Sequence, residues 1–176
     1  LDRQISPAEA RNPGQSGFRL VKEGTEAFVV RMQSARLATR SLDVQTYIWH
    51  ADMTGVYLAG QLLESADRGV RVRLSIDDLY TSGQDPLLLG LDASPNLEVR
   101  LFNPFPAGRK NFLTRFAVNW HEFDRVHRRM HNKLFIADNA AAIVGSRNLG
   151  DAYFDGLDSG NFSDVDLLAA GPIVGE

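Results

Sequence analysis

The chain has 176 residues, a formal net charge of −3 and no cysteine. Its length allows one domain with a hydrophobic core, and a hydrophobic content of 44% is ordinary for a globular protein. The negative charge excludes a strongly basic nucleic-acid binder, so we expect no nucleic-acid partner, and the lack of cysteine excludes disulfides and thiolate metal sites. No apolar run approaches the length of a membrane span.

Helices and strands alternate in the first two thirds of the predicted structure. Residues 1–17 are polar and contain prolines and glycines, so we expect them to wrap the surface or fray. Apolar periodicity and turn residues then predict helices at 25–39, 56–67 and 86–93, and strands at 42–49, 70–76 and 97–102. Asp77 and Asp78 follow the second strand, where we expect them to end it and cap what comes next.

Residues 104–128 differ in character because aromatic and basic residues are interleaved. The aromatic residues are Phe105, Phe112, Phe116 and Trp120, and the basic ones are Arg109, Lys110, Arg115 and Arg125. One interpretation places residues 105–116 at a membrane surface, with rings at the interface and cations towards anionic headgroups. The other is a surface loop whose aromatic side chains pack on the sheet.

The last third of the chain predicts a hairpin and one further strand. Strands at 132–137 and 141–144 are joined by a turn at Asp138-Asn139, a loop rich in Gly and Asp follows, and a strand runs from 163 to 170. Together with the earlier alternation, this pattern predicts an α/β fold, a mixed β-sheet flanked by helices.

Four side chains of the predicted hairpin suit attack on a phosphate. His131 and Lys133 share a strand face, Ser146 and Asn148 share a face of the neighbouring strand, and the hairpin brings the pairs together. Imidazole is a nucleophile or general base near neutral pH, whereas an ammonium, a hydroxyl and an amide suit phosphate oxygens. One His beside one Lys does not make a metal site, so we expect neither a metal nor a cofactor.

Other residues are assigned supporting roles. Asp138 has the opposite strand parity to His131, so we place it in the turn. A catalytic His needs a partner that fixes its tautomer; Asp164 and Asp166 are the candidates, and we favour Asp164. Arg129 could meet an anionic substrate or belong to a solvated helix end, and Tyr47 could line the pocket rim or simply pack.

The spacing H-x-K-x4-D-x6-G-S-x-N resembles the HKD signature of the phospholipase D superfamily. The matching residues are His131, Lys133, Asp138, Gly145, Ser146 and Asn148. The flanking stretches 41–49, 68–74, 101–105, 147–154 and 162–166 resemble the N-terminal half of bacterial cardiolipin synthases of the C type. The likeness begins near residue 20, so we expect a surface segment at 1–20 and a phospholipase D-like domain at 21–176.

This resemblance implies a phosphatidyltransferase. A phosphatidyl group would pass between phospholipids through a phosphohistidine intermediate without a metal, from a phosphatidylglycerol-like donor; with water as acceptor, the site would act as a phospholipase. The resemblance also implies a peripheral protein of the bacterial inner membrane. His131 as nucleophile is our preference, with a role as general acid left open.

The family's site needs two HKD motifs, and this sequence contains one. His50, His121 and His127 have no Lys two residues on. We therefore expect a second half in the same polypeptide or a second chain. The start at Leu1 and the Gly171-Pro172 pair, which more often opens a helix, indicate the front part of a longer polypeptide. The alternatives are a phospholipase D-type phosphodiesterase, a homodimeric single-motif nuclease, and a non-catalytic scaffold.

Overall fold

The computed structural model describes residues 1–175. Its α-helices are α1 (Asp2–Arg11), α2 (Gly24–Leu37), α3 (Met53–Asp67), α4 (Asp85–Asp92), α5 (Phe112–Val118) and α6 (Phe123–Val126). Its strands are β1 (Gly17–Val21), β2 (Ser41–Thr46), β3 (Arg71–Asp77), β4 (Leu97–Phe102), β5 (Leu134–Ala137), β6 (Ala141–Gly145) and β7 (Asp166–Ala170). The fold is the predicted mixed sheet flanked by helices.

The seven strands form one sheet in the order β1-β7-β6-β5-β2-β3-β4. The β2–β3 and β3–β4 pairs are parallel, and the remaining pairs are antiparallel. Because β5 runs against β2, Gln45 near the end of β2 pairs with Leu134 at the start of β5. The ends of β2, β3 and β6 and the starts of β5 and β7 therefore meet along one edge of the sheet.

Helices α2 and α3 cover the hydrophobic face of the central strands. Asp52 begins α3 by accepting a hydrogen bond from the Gly55 nitrogen at 3.1 Å, and the chain turns out of the helix at Gly69, whose φ is +87°. Buried side chains of these two helices and of strands β2, β3, β5 and β6 form a common core, including Ala35, Leu42, Val44, Leu58, Leu62, Val72, Leu74, Phe135 and Ile143.

The helix and strand predictions for residues 25–102 are confirmed, with shifts of at most three residues at the ends. The N-terminal residues lie at the surface as expected, with most of residues 3–16 exposed, but residues 2–11 form a helix that we did not predict. Ala8, Glu9, Ala10 and Arg11 are good helix formers, which outweighs the proline at position 7. Strand β1 pairs with β7 from Gly17 onward, so it crosses the position where we expected a surface segment to end.

The C-terminal strands begin later than predicted, at Leu134 and Asp166. His131, Lys133 and Asp164 consequently lie in the segments that lead into the strands, at the sheet edge. Within residues 1–175, no helix combines the length and the apolar character needed to cross a bilayer.

Candidate active site

His131 and Lys133 contact the same aromatic ring at the edge of the sheet. The His131 ring lies 4.7 Å from the Tyr47 ring, centroid to centroid, and the Lys133 Nζ lies 5.2 Å from that centroid. Lys133 Nζ also donates to the His131 carbonyl oxygen at 3.1 Å. Tyr47 therefore forms a floor that holds an exposed imidazole beside an ammonium.

Lys133 is a buried cation, since only 8% of its surface is exposed. Burial lowers the pKa of its ammonium, and the nearby Asp164 carboxylate opposes that shift. A positive charge held in a partly desolvated place interacts strongly with an incoming phosphate. This placement suits a clamp that neutralises phosphate charge.

Asn148 lies at the turn after β6 with its carboxamide fixed by the backbone. Its Oδ1 accepts a hydrogen bond from the Ile48 nitrogen at 3.1 Å, and its side chain is buried. Among the described residues, no hydrogen bond uses its amide nitrogen, so that nitrogen remains a donor for a ligand.

Ser146 is exposed, but its hydroxyl is engaged with the backbone just before β7. Its Oγ accepts from the Val165 nitrogen at 3.2 Å and lies 3.4 Å from the Val165 oxygen. This contact joins β6 to the segment that carries Asp164. A role for Ser146 in holding phosphate stays a prediction.

Asp164 lies near Lys133, where its charge acts on the ammonium. No hydrogen bond within residues 1–175 joins its carboxylate to His131. The role of tautomer partner that we favoured for Asp164 therefore stays a prediction. Asp166, the other candidate, is buried and forms ion pairs with Arg31 at 2.9 Å and Arg147 at 3.3 Å.

Arg147 is a positioning residue that sequence reasoning missed. It is 2% exposed and donates to the backbone oxygens of Val21, Lys22, Tyr153 and Asp164 and to the Asp166 carboxylate. It thereby ties the Ser146–Asn148 turn to the segment of Asp164. The available signal was its position between Ser146 and Asn148, which turns its side chain away from theirs and into the protein.

Gly145 is required by the close approach of β7. A Cβ at this position would lie 2.0 Å from Oδ1 of Asp166 and 2.6 Å from the Val165 oxygen. Any side chain here would push β6 away from β7 and displace Ser146 and Asn148.

Asp138 lies in the turn between β5 and β6 with its side chain buried. Its carboxylate accepts hydrogen bonds from the backbone nitrogens of Thr39, Arg40 and Ser41 at 2.7–3.1 Å. Although burial works in the opposite direction, these donors hold the pKa of Asp138 below its ordinary value. The carboxylate fastens the start of β2 to the hairpin.

Asp77, at the end of β3, fixes the segment that precedes His131 by accepting hydrogen bonds from it. It accepts from the Met130 nitrogen at 2.7 Å and from Arg129 Nη1 at 2.9 Å, and it also accepts from the Leu79 nitrogen, as a cap should. Arg129, which we considered for substrate binding, further donates to the Asn103 oxygen at 3.1 Å and lies over the Phe105 ring. Its guanidinium thus anchors the segment before His131.

Cavities lie beside the site and away from it. A cavity of about 630 Å³ is lined in part by Lys22, Ser146 and Asp164, and so lies beside the candidate active site. A larger one, about 800 Å³, lies between α2 and α3 and includes Met32 and Tyr57 but neither His131 nor Lys133. We therefore place the candidate active site at the sheet edge that carries His131 and Lys133, because neither residue lines the larger cavity.

Comparison with known proteins identifies the family of the chain. Residues 30–162 match the family model described as "Cardiolipin synthase, PLD-like domain". Cardiolipin synthase C of Escherichia coli (strain K12) is 45% identical over 174 residues, which is 99% of this chain and 36% of that protein. The chain thus spans about a third of the length of the curated relatives that it matches.

Solved structures share the fold. NucT from Helicobacter pylori superposes with a TM-score of 0.64 at 20% identity, over 89% of this chain and 86% of that one. Phosphatidylserine synthase of Haemophilus influenzae Rd KW20 gives a TM-score of 0.64 at 13% identity, over 95% of this chain and 38% of that one. By its sequence match and its fold, the chain belongs to the PLD-like domain family of cardiolipin synthases.

Proposed function

We propose that this chain supplies half of the active site of a phosphatidyltransferase that moves a phosphatidyl group between phospholipids. The observation that carries the proposal is the shared Tyr47 floor, which sets an exposed imidazole beside a buried ammonium. The family membership and the relation to cardiolipin synthase C favour a phospholipid as substrate. Lys133 and the free amide nitrogen of Asn148 would hold the phosphate oxygens.

The first step is attack of a His131 ring nitrogen on the donor phosphorus. A P–N bond forms, the P–O bond to the leaving alcohol breaks, and a second imidazole protonates that alcohol. The Lys133 ammonium stabilises the negative charge that develops on the phosphate oxygens. All groups in this step are protein side chains, so the proposed chemistry is independent of metal ions.

The second step reverses the first with a new alcohol. The hydroxyl of an acceptor phospholipid attacks phosphorus, its proton passes to the second imidazole, and the P–N bond breaks to free His131. Water in the place of this hydroxyl would make the enzyme a phospholipase D-type phosphodiesterase. The second imidazole is proposed to come from another HKD motif, in the same polypeptide or in a second chain.

The test is transfer activity of the native gene product on phosphatidylglycerol and phosphatidylethanolamine vesicles in excess chelator. We expect His131→Asn to lower product formation by at least about 100-fold. The matched control is His50→Asn, because His50 is also exposed but carries no Lys two residues on. Both variants are compared by thermal melting, so that a folding defect is recognised.

Two results would contradict the proposal. One is lipid product from His131→Asn at the wild-type rate, which would remove the imidazole from the reaction. The other is rapid cutting of plasmid DNA by the same preparation without lipid transfer, which would favour the nuclease alternative.

A further inference from the structure

Four apolar side chains in and just after α5 are exposed, those of Phe112, Leu113, Val118 and Trp120, and we call this set the apolar ridge. Their exposed fractions are 45%, 76%, 48% and 76%. Phe105, which the sequence suggested as part of a membrane-surface element, is instead 1% exposed and packs against Phe116. The segment thus divides into an inner aromatic row that packs and an outer row that faces solvent.

Hydrogen bonds of Arg115, Asn111 and Asn119 fix the backbone of the α5 region that carries the ridge. Arg115 of α5 is fully buried and donates to the backbone oxygens of Asp78 and Leu79. Asn111 caps the helix by accepting from the Leu113 nitrogen at 2.9 Å, and Asn119 Nδ2 donates to the Ala107 oxygen at 2.9 Å. A loose loop could fold its apolar groups inward, whereas these hydrogen bonds keep them exposed.

One exposed cation, Lys110, lies close in sequence to the ridge. Residues 107–121 contain no Asp or Glu. The internal cations Arg109 and Arg115 are neutralised by Asp78 and Asp85. Lys110 is exposed and, within residues 1–175, forms no ion pair, so it is available to an anionic surface beside the apolar groups.

The ridge is continuous with the candidate active site through stacked rings. Phe112 stacks on Tyr80 at 6.3 Å between centroids, Tyr80 meets Tyr47 at 5.5 Å, and Tyr47 meets His131 at 4.7 Å. An apolar surface that ends at the catalytic imidazole suits a substrate with an apolar body and a phosphate head.

We propose that the apolar ridge docks on a bilayer of anionic phospholipid, with Trp120 and Leu113 inserted at the interface and Lys110 among the headgroups. The ring path then brings the headgroup of a docked lipid to His131. This deepens the proposed function by naming its docking surface. Docking itself needs no catalysis, so the two are tested separately.

Trp120 gives a direct readout, because it is 76% exposed whereas Trp49, the other tryptophan of this chain, is 1% exposed. The native gene product is titrated with phosphatidylglycerol vesicles and, in parallel, with phosphatidylcholine vesicles. We expect a blue shift of tryptophan emission with the anionic vesicles, and its loss in Trp120→Phe. A wild-type spectrum that phosphatidylglycerol leaves unchanged would overturn the proposal.

A matched pair of substitutions tests the surface. Val118 on the ridge and Val29 on α2 are exposed to nearly the same extent, 48% and 47%. We expect Val118→Glu combined with Leu113→Glu to weaken vesicle co-sedimentation at least about tenfold, and Val29→Glu to leave it unchanged. If the double variant does not fold, Lys110→Glu tests the same surface. We expect it to bind anionic vesicles more weakly than the wild type does.

The remaining outcomes separate docking from catalysis. His131→Asn should bind vesicles like the wild type, and the ridge variant should still act on a soluble short-chain phospholipid while losing activity on vesicles. Equal vesicle binding by the ridge and Val29 variants would overturn the proposal. Self-association is measured by sedimentation without lipid. If the ridge substitutions abolish self-association while vesicle binding persists, the surface binds a second copy of the protein, and the proposal is overturned.

Discussion

At the scale of single residues, His131, Lys133 and Asp138 of the H-x-K-x4-D pattern have different surroundings. His131 and Lys133 share the Tyr47 ring on the open side of the sheet edge. Asp138, in contrast, is 2% exposed, and its carboxylate accepts hydrogen bonds from backbone nitrogens at the start of β2. The exposed His131 and the buried Asp138 therefore differ in their surroundings, and their substitution should have different consequences.

Substitution of Asp138 should act on stability. Asp138→Asn replaces a charged acceptor of several backbone donors, so we expect the free energy of unfolding at neutral pH to fall by about 1–3 kcal/mol. Because the folded pKa is depressed below its ordinary value of 3.8, the wild-type advantage is present above that pH and is lost as pH falls through the folded pKa. Urea unfolding at several pH values measures both. Equal stability of the two proteins at pH 7 would contradict the assignment.

Substitution of Asp164 should act on pH dependence. Burial lowers the pKa of Lys133 and Asp164 counteracts it, so Asp164→Asn should lower that pKa further. We expect the alkaline limb of the pH–rate profile, where Lys133 loses its proton, to move to lower pH. Asp158→Asn, in the exposed loop, is the control. An unmoved alkaline limb would contradict this, and a shift of the acidic limb alone would instead link Asp164 to His131.

At the scale of elements, the sequence predicts what depends on local pattern. Apolar periodicity places α2, α3 and the central strands. The parity of Asp138, opposite to that of His131, predicts its place in the hairpin turn, where the structure has it. The roles of Arg147 and Arg129 could not be predicted in this way, because their partners, such as Val21 and Asp77, are distant in sequence. The same holds for residues 104–126, whose shape is fixed by Asp78 and Asp85 across the sheet edge.

Asp78 offers the test of that element-scale account. It is fully buried, accepts from the Phe105 nitrogen at 2.7 Å and pairs with Arg109 at 2.5 Å. We expect Asp78→Asn to lower the free energy of unfolding by about 3 kcal/mol or more, since it leaves the buried Arg115 guanidinium without its ion-pair partner and leaves Arg109 with Asp85 alone. Limited proteolysis should then cut first between residues 105 and 118. Asp67→Asn on the exposed end of α3 is the control, and equal protease resistance of the two variants would contradict the account.

At the scale of the whole molecule, one edge of a seven-stranded sheet gathers the candidate active site. The fold follows from sequence pattern and family. The proposed mechanism also needs a second imidazole, and no second H-x-K pattern occurs in this sequence. Two arrangements fit the proposal, a second motif in the same polypeptide or a second chain. In both, His131 is the group that should carry the phosphatidyl adduct.

Trapping of that adduct tests the central claim most directly. The native gene product is mixed with labelled phosphatidylglycerol, quenched within milliseconds to seconds, and mapped by peptide mass spectrometry under alkaline conditions that preserve phosphohistidine. We predict a phosphatidyl group on His131 in the wild type, and no adduct at position 131 with loss of turnover in His131→Asn. A covalent adduct on a different residue, or full turnover by His131→Asn, would contradict the account.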